Sequence, residues 1–253
     1  MLLGTLESTL FPQISWFSLK ISTPFSAFDQ YFQKNWRFFR ILVLILAIAT
    51  PVTLASEPKN HRVSNLSDAE QIILILGKPG ETKGELYFFS MEGGEWKQFS
   101  QKIPVRFGRS GLIQKEFKRE GDGYTPYGSF PIQRVLGRSK RSIPNLEYTQ
   151  IQKNDYWSDV STSKHYNQMI RKKEKGATSL WNSSNYQLFI VLEHNTNPSI
   201  PGYGSMIFLH PWEETKPTSG CIGIKLVDLE SIIQNLDGKK NPYILIVSSD
   251  EAI

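Results

Sequence analysis

The only cysteine of the 253-residue chain, Cys221, stands between Gly220 and Ile222 in the stretch PTSGCIGI, with Gly223 two positions on. His210 lies upstream, ten residues intervening, at the end of the apolar run SMIFLH. Thiol and imidazole at that spacing suit nucleophilic catalysis if a strand–loop–strand returns one beside the other. Only the thiolate attacks, and a free thiol titrating near ~8.5 is mostly protonated at neutral pH. A histidine within hydrogen-bond reach takes that proton or pairs with the thiolate. Gly220 lets the backbone bend tightly, so that amide N–H groups converge near the sulfur. Such donors hold a developing oxyanion, an effect of about 10²–10³ in rate per donor. The bland alternative is that Cys221 is buried filler, since free cysteine is among the most buried residue types. Spacing alone leaves both readings open.

Other chemistries find less support. His194 follows Glu193 at a strand end and invites pairing with His210 around a metal. A catalytic zinc takes three protein ligands, and the chain has neither H-x-H nor HExxH; His61 and His165 read as solvated. STSK (161–164) and SSN (183–185) match two elements of serine penicillin-binding enzymes, but K-T-G is missing.

The elements that must position the pair are mainly β. Runs rich in β-branched and aromatic residues predict strands at 71–76, 84–91, 95–105, 186–194, 205–210 and 242–249, with a hairpin turn at 92–94. Residues 121–137 open as a Gly/Pro-rich loop and continue as a strand from about Gly128. A short strand starts at Cys221. Leu226, Leu229, Ile232, Ile233 and Leu236 share one helical stripe, with Gly238 as its stop. Residues 138–184 are polar and read as a long surface excursion, of the kind that forms lids and binding loops.

Composition bounds the function. A hydrophobic share of 40% and a charged share of 21% describe a globular protein. The net charge is +5, and the part after residue 55 holds 25 basic and 22 acidic residues, well mixed. Nucleic-acid binding, which needs a clustered basic excess, is not expected. Residues 41–55 are apolar and uncharged, follow Arg37 and Arg40, and end in Thr53 and Ala55, small residues at the −3 and −1 positions of a cleavage site. That is a secretory signal pattern with a long n-region, or an uncleaved N-terminal anchor. The expected organisation is a leader over 1–55, a polar linker over 56–69 and one domain over 70–253. Export sharpens the question of the thiol, because one cysteine cannot form a disulfide within its own chain.

Five segments in order, GRSGL (108–112), KREGDGYTPYGSFPI (118–132), YNQMI (166–170), GYGSMIFLH (202–210) and PTSGCIGI (217–224), resemble the L,D-transpeptidase catalytic domain, or YkuD type. The closest pattern is the branch reading KREGDG-x-TP-x-G-x-F and GSxIFxH…T-x-GC, and the likeness covers roughly residues 70–250. The resemblance implies a mainly β fold of two packed, curved sheets with a short helix after the nucleophile strand. It implies action on peptidoglycan stem tetrapeptides outside the cytoplasmic membrane, with no metal or organic cofactor; separately, a monomer is expected. Membrane contact would come only through an uncleaved N-terminal anchor. In the implied reaction Cys221 is the nucleophile and His210 the general base, with backbone N–H groups at Gly220 as the oxyanion hole. D-alanine leaves, and an amine of a neighbouring stem, or water in a carboxypeptidase, resolves the thioester. Arg119, Asp122, Tyr127, Tyr166, Asn167 and Ser219 are the candidate substrate contacts; the turn around Asp122 and the pinning of a loop by Tyr166 and Asn167 are the structural alternatives.

The chain also departs from the family's common form. Thr218 and Ser219 replace the serine and histidine of S-H-G-C, Gly223 stands where an arginine is usual, and Pro211 follows the base where glycine is frequent. Carboxylate recognition would then pass to another cation such as Arg119. A cell-wall-binding module of the same fold with impaired turnover is the alternative function.

Overall fold

The computed structural model describes residues 66–212 and 215–249. The expected leader lies outside them, as does most of the linker. The last linker residues, Leu66–Asp68, form a 3-10 turn, and Ala69 is buried.

Strand β1 (Gln71–Gly77) forms where the run QIILIL places branched side chains on both faces, and it is buried almost throughout. Such a strand needs cover on both sides. It pairs antiparallel with β2 (Lys83–Glu92) and parallel with β15 (Tyr243–Ser248), which joins segments about 170 residues apart in the sequence. Gly93 and Gly94, both at positive φ, close the expected turn from β2 into β3 (Glu95–Gln98). The single run expected over 95–105 divides into β3 and β4 (Ile103–Arg106), and β4 also pairs with β2. The polar residues Ser100, Gln101 and Lys102 separate the two strands, while Pro104 lies within β4, opposite Glu85 of β2.

β5 (Gly111–Gln114) runs parallel to β6 (Tyr124–Pro131), and β6 pairs antiparallel with β15. The strand therefore begins four residues before Gly128, because Thr125 and Pro126 already lie in the ladder to β5. β7 (Arg134–Gly137) pairs with β8 (Glu147–Gln150) and β12 (Leu188–Val191); β12 pairs with β13 (Phe208–Pro211), and β13 with β14 (Ile222–Ile224). β14 returns to β4 and completes the large mixed sheet.

The segment 138–184 is not a plain surface excursion. Besides β8 it supplies β9 (Tyr156–Ser158), β10 (Gln168–Ile170) and β11 (Thr178–Ser179), a second, three-stranded sheet in the order β10-β9-β11. Scattered apolar residues, Ile151, Trp157 and Leu180, are fully buried and hold it down, although no periodic pattern announces them. The described chain is thus mainly β, with two sheets and one α-helix, α1 (Leu226–Gln234). Leu229, Ile232, Ile233 and Leu236 of the expected stripe are buried, whereas the helix ends at Gln234 rather than at Gly238. Gly238 instead opens a 3-10 turn capped by Asp237.

Two apolar clusters result. The larger joins β1, β2, β4, β15 and the helix. The smaller contains Leu136, Ile151, Trp157, Leu180, Phe189, Val191, Met206 and Phe208, and Cys221 packs against it. Phe189 stacks on Phe208 with ring centroids 4.4 Å apart, and Trp157 meets Phe208 edge-on at 4.9 Å. Each such aromatic pair contributes about 0.5–1.5 kcal/mol beyond area burial, so the floor beneath the thiol is stiff.

Candidate active site

In the parallel pair of β13 and β14, Leu209 stands opposite Ile222 and His210 opposite Gly223. Cys221 lies two residues before Gly223, so its side chain continues the face that His210 occupies, one rung away. The strand–loop–strand expected from spacing is therefore present. Tyr186, in the 3-10 turn Ser184–Tyr186 ahead of β12, sets its ring edge-on to His210 at 5.9 Å between centroids. Trp212 approaches the same imidazole at 5.7 Å, also edge-on.

His210 is 3% exposed. Its Nδ1 lies 2.8 Å from the Pro211 carbonyl, which accepts only and so assigns the proton to Nδ1. Nε2 is then the basic nitrogen. Burial lowers the imidazole to about 4, against that hydrogen bond, so it is neutral at pH 7. Cys221 is half-buried, and its Sγ donates to the Met206 carbonyl at 3.0 Å. Burial pushes the thiol up to about 11, although a backbone hydrogen bond with Phe208 and the Lys118 ammonium favour the thiolate. The resting pair is thus thiol and imidazole rather than thiolate and imidazolium.

The nucleophile's backbone is fixed by hydroxyls and close glycines. Thr218 Oγ1 donates to the Cys221 carbonyl at 2.7 Å and accepts from the Gly220 amide at 3.1 Å; Thr125 Oγ1 reaches the same carbonyl at 3.1 Å. Gly220 adopts φ +148, and a Cβ there would stand 3.0 Å from the Tyr124 carbonyl. Gly108 of the GRSGL segment packs beneath it, where a Cβ would come within 2.1 Å of the Gly123 carbonyl and 2.9 Å of Gly220 Cα. The Gly220 N–H, a candidate oxyanion donor, is therefore already bonded to Thr218. Gly223 has its own reason: a Cβ would lie 2.5 Å from Trp212 Cβ. Trp212 thus fills the space beside position 223, and its Nε1 donates to the Lys216 carbonyl at 2.8 Å.

The remaining candidates divide. Arg119 is exposed, stacks over Tyr203 at 4.3 Å and bonds to carbonyls of its own loop. Asp122 accepts from the Arg119 and Tyr124 amides and from Lys118 Nζ, so it holds the turn. Tyr127 packs against the larger cluster, whereas Cys221 belongs to the smaller. Tyr166 is 2% exposed and donates to Glu120 Oε2, which also accepts from Ser205 at 2.7 Å. Asn167 is buried and turned inward. It accepts from Trp157 Nε1 and the Met206 amide and donates to the His194 and Asn195 carbonyls. Through Met206, itself at φ +53, Asn167 aims the carbonyl that meets the thiol. Ser219 is exposed beside the nucleophile. His194 Nε2 lies 2.9 Å from the Tyr203 carbonyl. Among the described residues no set of three His, Cys, Asp or Glu side chains comes together as metal ligands, and no helix is long and apolar enough to cross a membrane.

Sequence reasoning missed Tyr186, Trp212, Thr218, Met206 and Lys118 as neighbours of the pair. Thr218, Lys118 and Met206 lie inside the quoted motifs, whereas the link between Trp212 and the glycine at 223 emerges only from the structure. For Tyr186 no local signal exists.

The model of the L,D-transpeptidase catalytic domain family (YkuD) matches residues 82–244. No curated protein matches the chain. Among solved structures, the helical cell shape determining protein Pgp2 from Campylobacter jejuni is 14% identical, covering 71% of this chain and 48% of its own, with a TM-score of 0.35. Bd1075 of Bdellovibrio bacteriovorus is 17% identical, covering 73% of this chain and 55% of its own, also at a TM-score of 0.35. The chain spans about half the length of these proteins. With the family model matching well over half of its residues, including both His210 and Cys221, the chain belongs to the L,D-transpeptidase catalytic domain family.

Proposed function

We propose that the protein is an exported cysteine L,D-transpeptidase that acts on peptidoglycan stem tetrapeptides. The observation that carries this reading is the pairing of β13 and β14, which brings a buried neutral imidazole and a half-buried thiol to one face. In the proposed reaction the Cys221 side chain turns from the Met206 carbonyl toward His210. Nε2 takes the Sγ proton as sulfur bonds to the carbonyl carbon after the third stem residue, and the carbonyl electron pair moves to oxygen. Return of that pair expels the D-alanine amine, which leaves with the proton from Nε2, and a thioester remains. An amine of a second stem then attacks the thioester, with His210 as base; water in its place would make the protein an L,D-carboxypeptidase.

Incubation with disaccharide-tetrapeptide and mass spectrometry of the products tests this. Release of D-alanine and formation of a cross-linked dimer, both abolished in Cys221→Ala, are expected. Release that persists without Cys221 would refute the assignment. A second reading, a cell-wall-binding module with little turnover, draws on the resting hydrogen bond of the thiol to Met206 and on its upward-shifted titration. It predicts binding of the tetrapeptide without D-alanine release by the wild-type chain.

A further inference from the structure

Lys118 is 3% exposed, in the loop between the 3-10 turn Lys115–Phe117 and β6. Its stem crosses Gly204, where a Cβ would stand 2.9 Å from Lys118 Cγ. Its ammonium comes to rest beside Gly220, the residue before the nucleophile, where an added Cβ would lie 3.9 Å from Lys118 Nζ, and its charge is felt at the thiol. A buried ammonium is costly unless it is paired. Here Nζ donates to Asp122 Oδ1 at 2.5 Å and to the Arg119 carbonyl at 2.7 Å, which accounts for two of its three N–H bonds.

We propose that Lys118 is the active-site cation that holds the negative charge on Cys221 as the proton leaves the sulfur. The proposal rests on the reading of Cys221 as nucleophile. Such charge needs a partner, and among the described residues the groups around the thiol are few. From β13 come the neutral His210 and the Phe208 backbone; from the turn before β12 comes Tyr186, whose phenol burial keeps protonated. Asp159, after β9, bears on Tyr186 with the wrong sign, and the Gly220 amide is bonded to Thr218. The loop 118–123 contributes Lys118 together with Asp122, while Arg119 is turned onto Tyr203. Lys118 alone among these brings positive charge to the thiol. It is thus a positioning residue for charge, and Asp122 both orients and attenuates it.

The test is the rate at which Cys221 in the full chain reacts with the neutral disulfide 4,4′-dithiodipyridine. The thiolate attacks one sulfur, a mixed disulfide forms and a pyridinethiolate leaves, read by absorbance. At pH 8, Lys118→Met should raise the thiol pKa by about one unit and leave about tenfold less thiolate. The greater nucleophilicity of the more basic thiolate offsets part of that, for a net rate about threefold slower. Lys118→Arg, which keeps the charge, should react within about twofold of wild type. Asp122→Asn, which removes the attenuating carboxylate, should react faster than wild type. Opposite signs for Lys118→Met and Asp122→Asn are the electrostatic signature, because each breaks the same ion pair. If both variants slow alike, or if Lys118→Met reacts as wild type does, the proposal fails. The probe is not a peptide, so the pattern stands or falls whether or not the protein releases D-alanine.

Discussion

Raising the pH in steps from 5 to 10 separates a neutral catalytic pair from a preformed ion pair. With the thiol at about 11 and the imidazole at about 4, both groups are uncharged across this whole range. At pH 8 the thiol lies three units below its titration point, so about 0.1% of it is thiolate. A free thiol near ~8.5 would be about 25% ionised at the same pH. The rate of mixed-disulfide formation with 4,4′-dithiodipyridine should therefore rise about tenfold per pH unit from 7 to 10 without a plateau. His210→Ala should barely change that resting rate, because the imidazole contributes no charge to it. The same variant should lose turnover of the tetrapeptide by about 10²-fold or more, the usual weight of a general base. A rate plateau between pH 5 and 8 that disappears in His210→Ala would refute the reasoning, since only a thiolate–imidazolium pair produces it.

Three further outcomes follow from the same contacts. Stability should fall at both pH extremes. His210 has a depressed folded pKa, so stability is lost as pH falls from 6.5 through about 4; the raised Cys221 thiol loses it as pH rises from 9 through about 11. Each contributes about 3 kcal/mol, checked by urea melts across pH. Gly108→Ala forces a Cβ onto the Gly123 carbonyl and toward Gly220, and should cost about 1–3 kcal/mol in melts while lowering turnover about 10²-fold by shifting the nucleophile. Asn167→Leu strands the Trp157 and Met206 donors and the His194 and Asn195 acceptors, and should destabilise by about 3 kcal/mol or more, read as a lowered midpoint.

The first and last described strands were legible because their runs are continuously apolar, as in QIILIL and YILIVS. The second sheet was not, since Trp157 and Leu180 are single anchors among polar residues and a strand of two or three residues leaves no period to read. His210 and Cys221 could be picked out by residue type, spacing and motif. Their protonation could not, because it depends on burial supplied by Phe208 of β13 and Trp212 just after it, which flank His210, and by Tyr186 from the separate turn before β12. Asn167 shows the same limit in reverse. As a polar residue in a motif it suggested a substrate contact, but its hydrogen bonds are all internal, and it acts on the thiol only through the Met206 carbonyl. Of the two adjacent cations, Arg119 is the one expected to meet a carboxylate, yet Lys118 is the buried one, a difference that sequence alone does not carry.

The most direct test of the central claim is the mass of the protein after rapid acid quenching in the presence of disaccharide-tetrapeptide. A nucleophilic Cys221 predicts an adduct of the disaccharide-tripeptidyl group, mapped to the peptide that contains Cys221, with one D-alanine released per adduct and no adduct in Cys221→Ala. An adduct on another residue, or D-alanine release undiminished in Cys221→Ala, would contradict it.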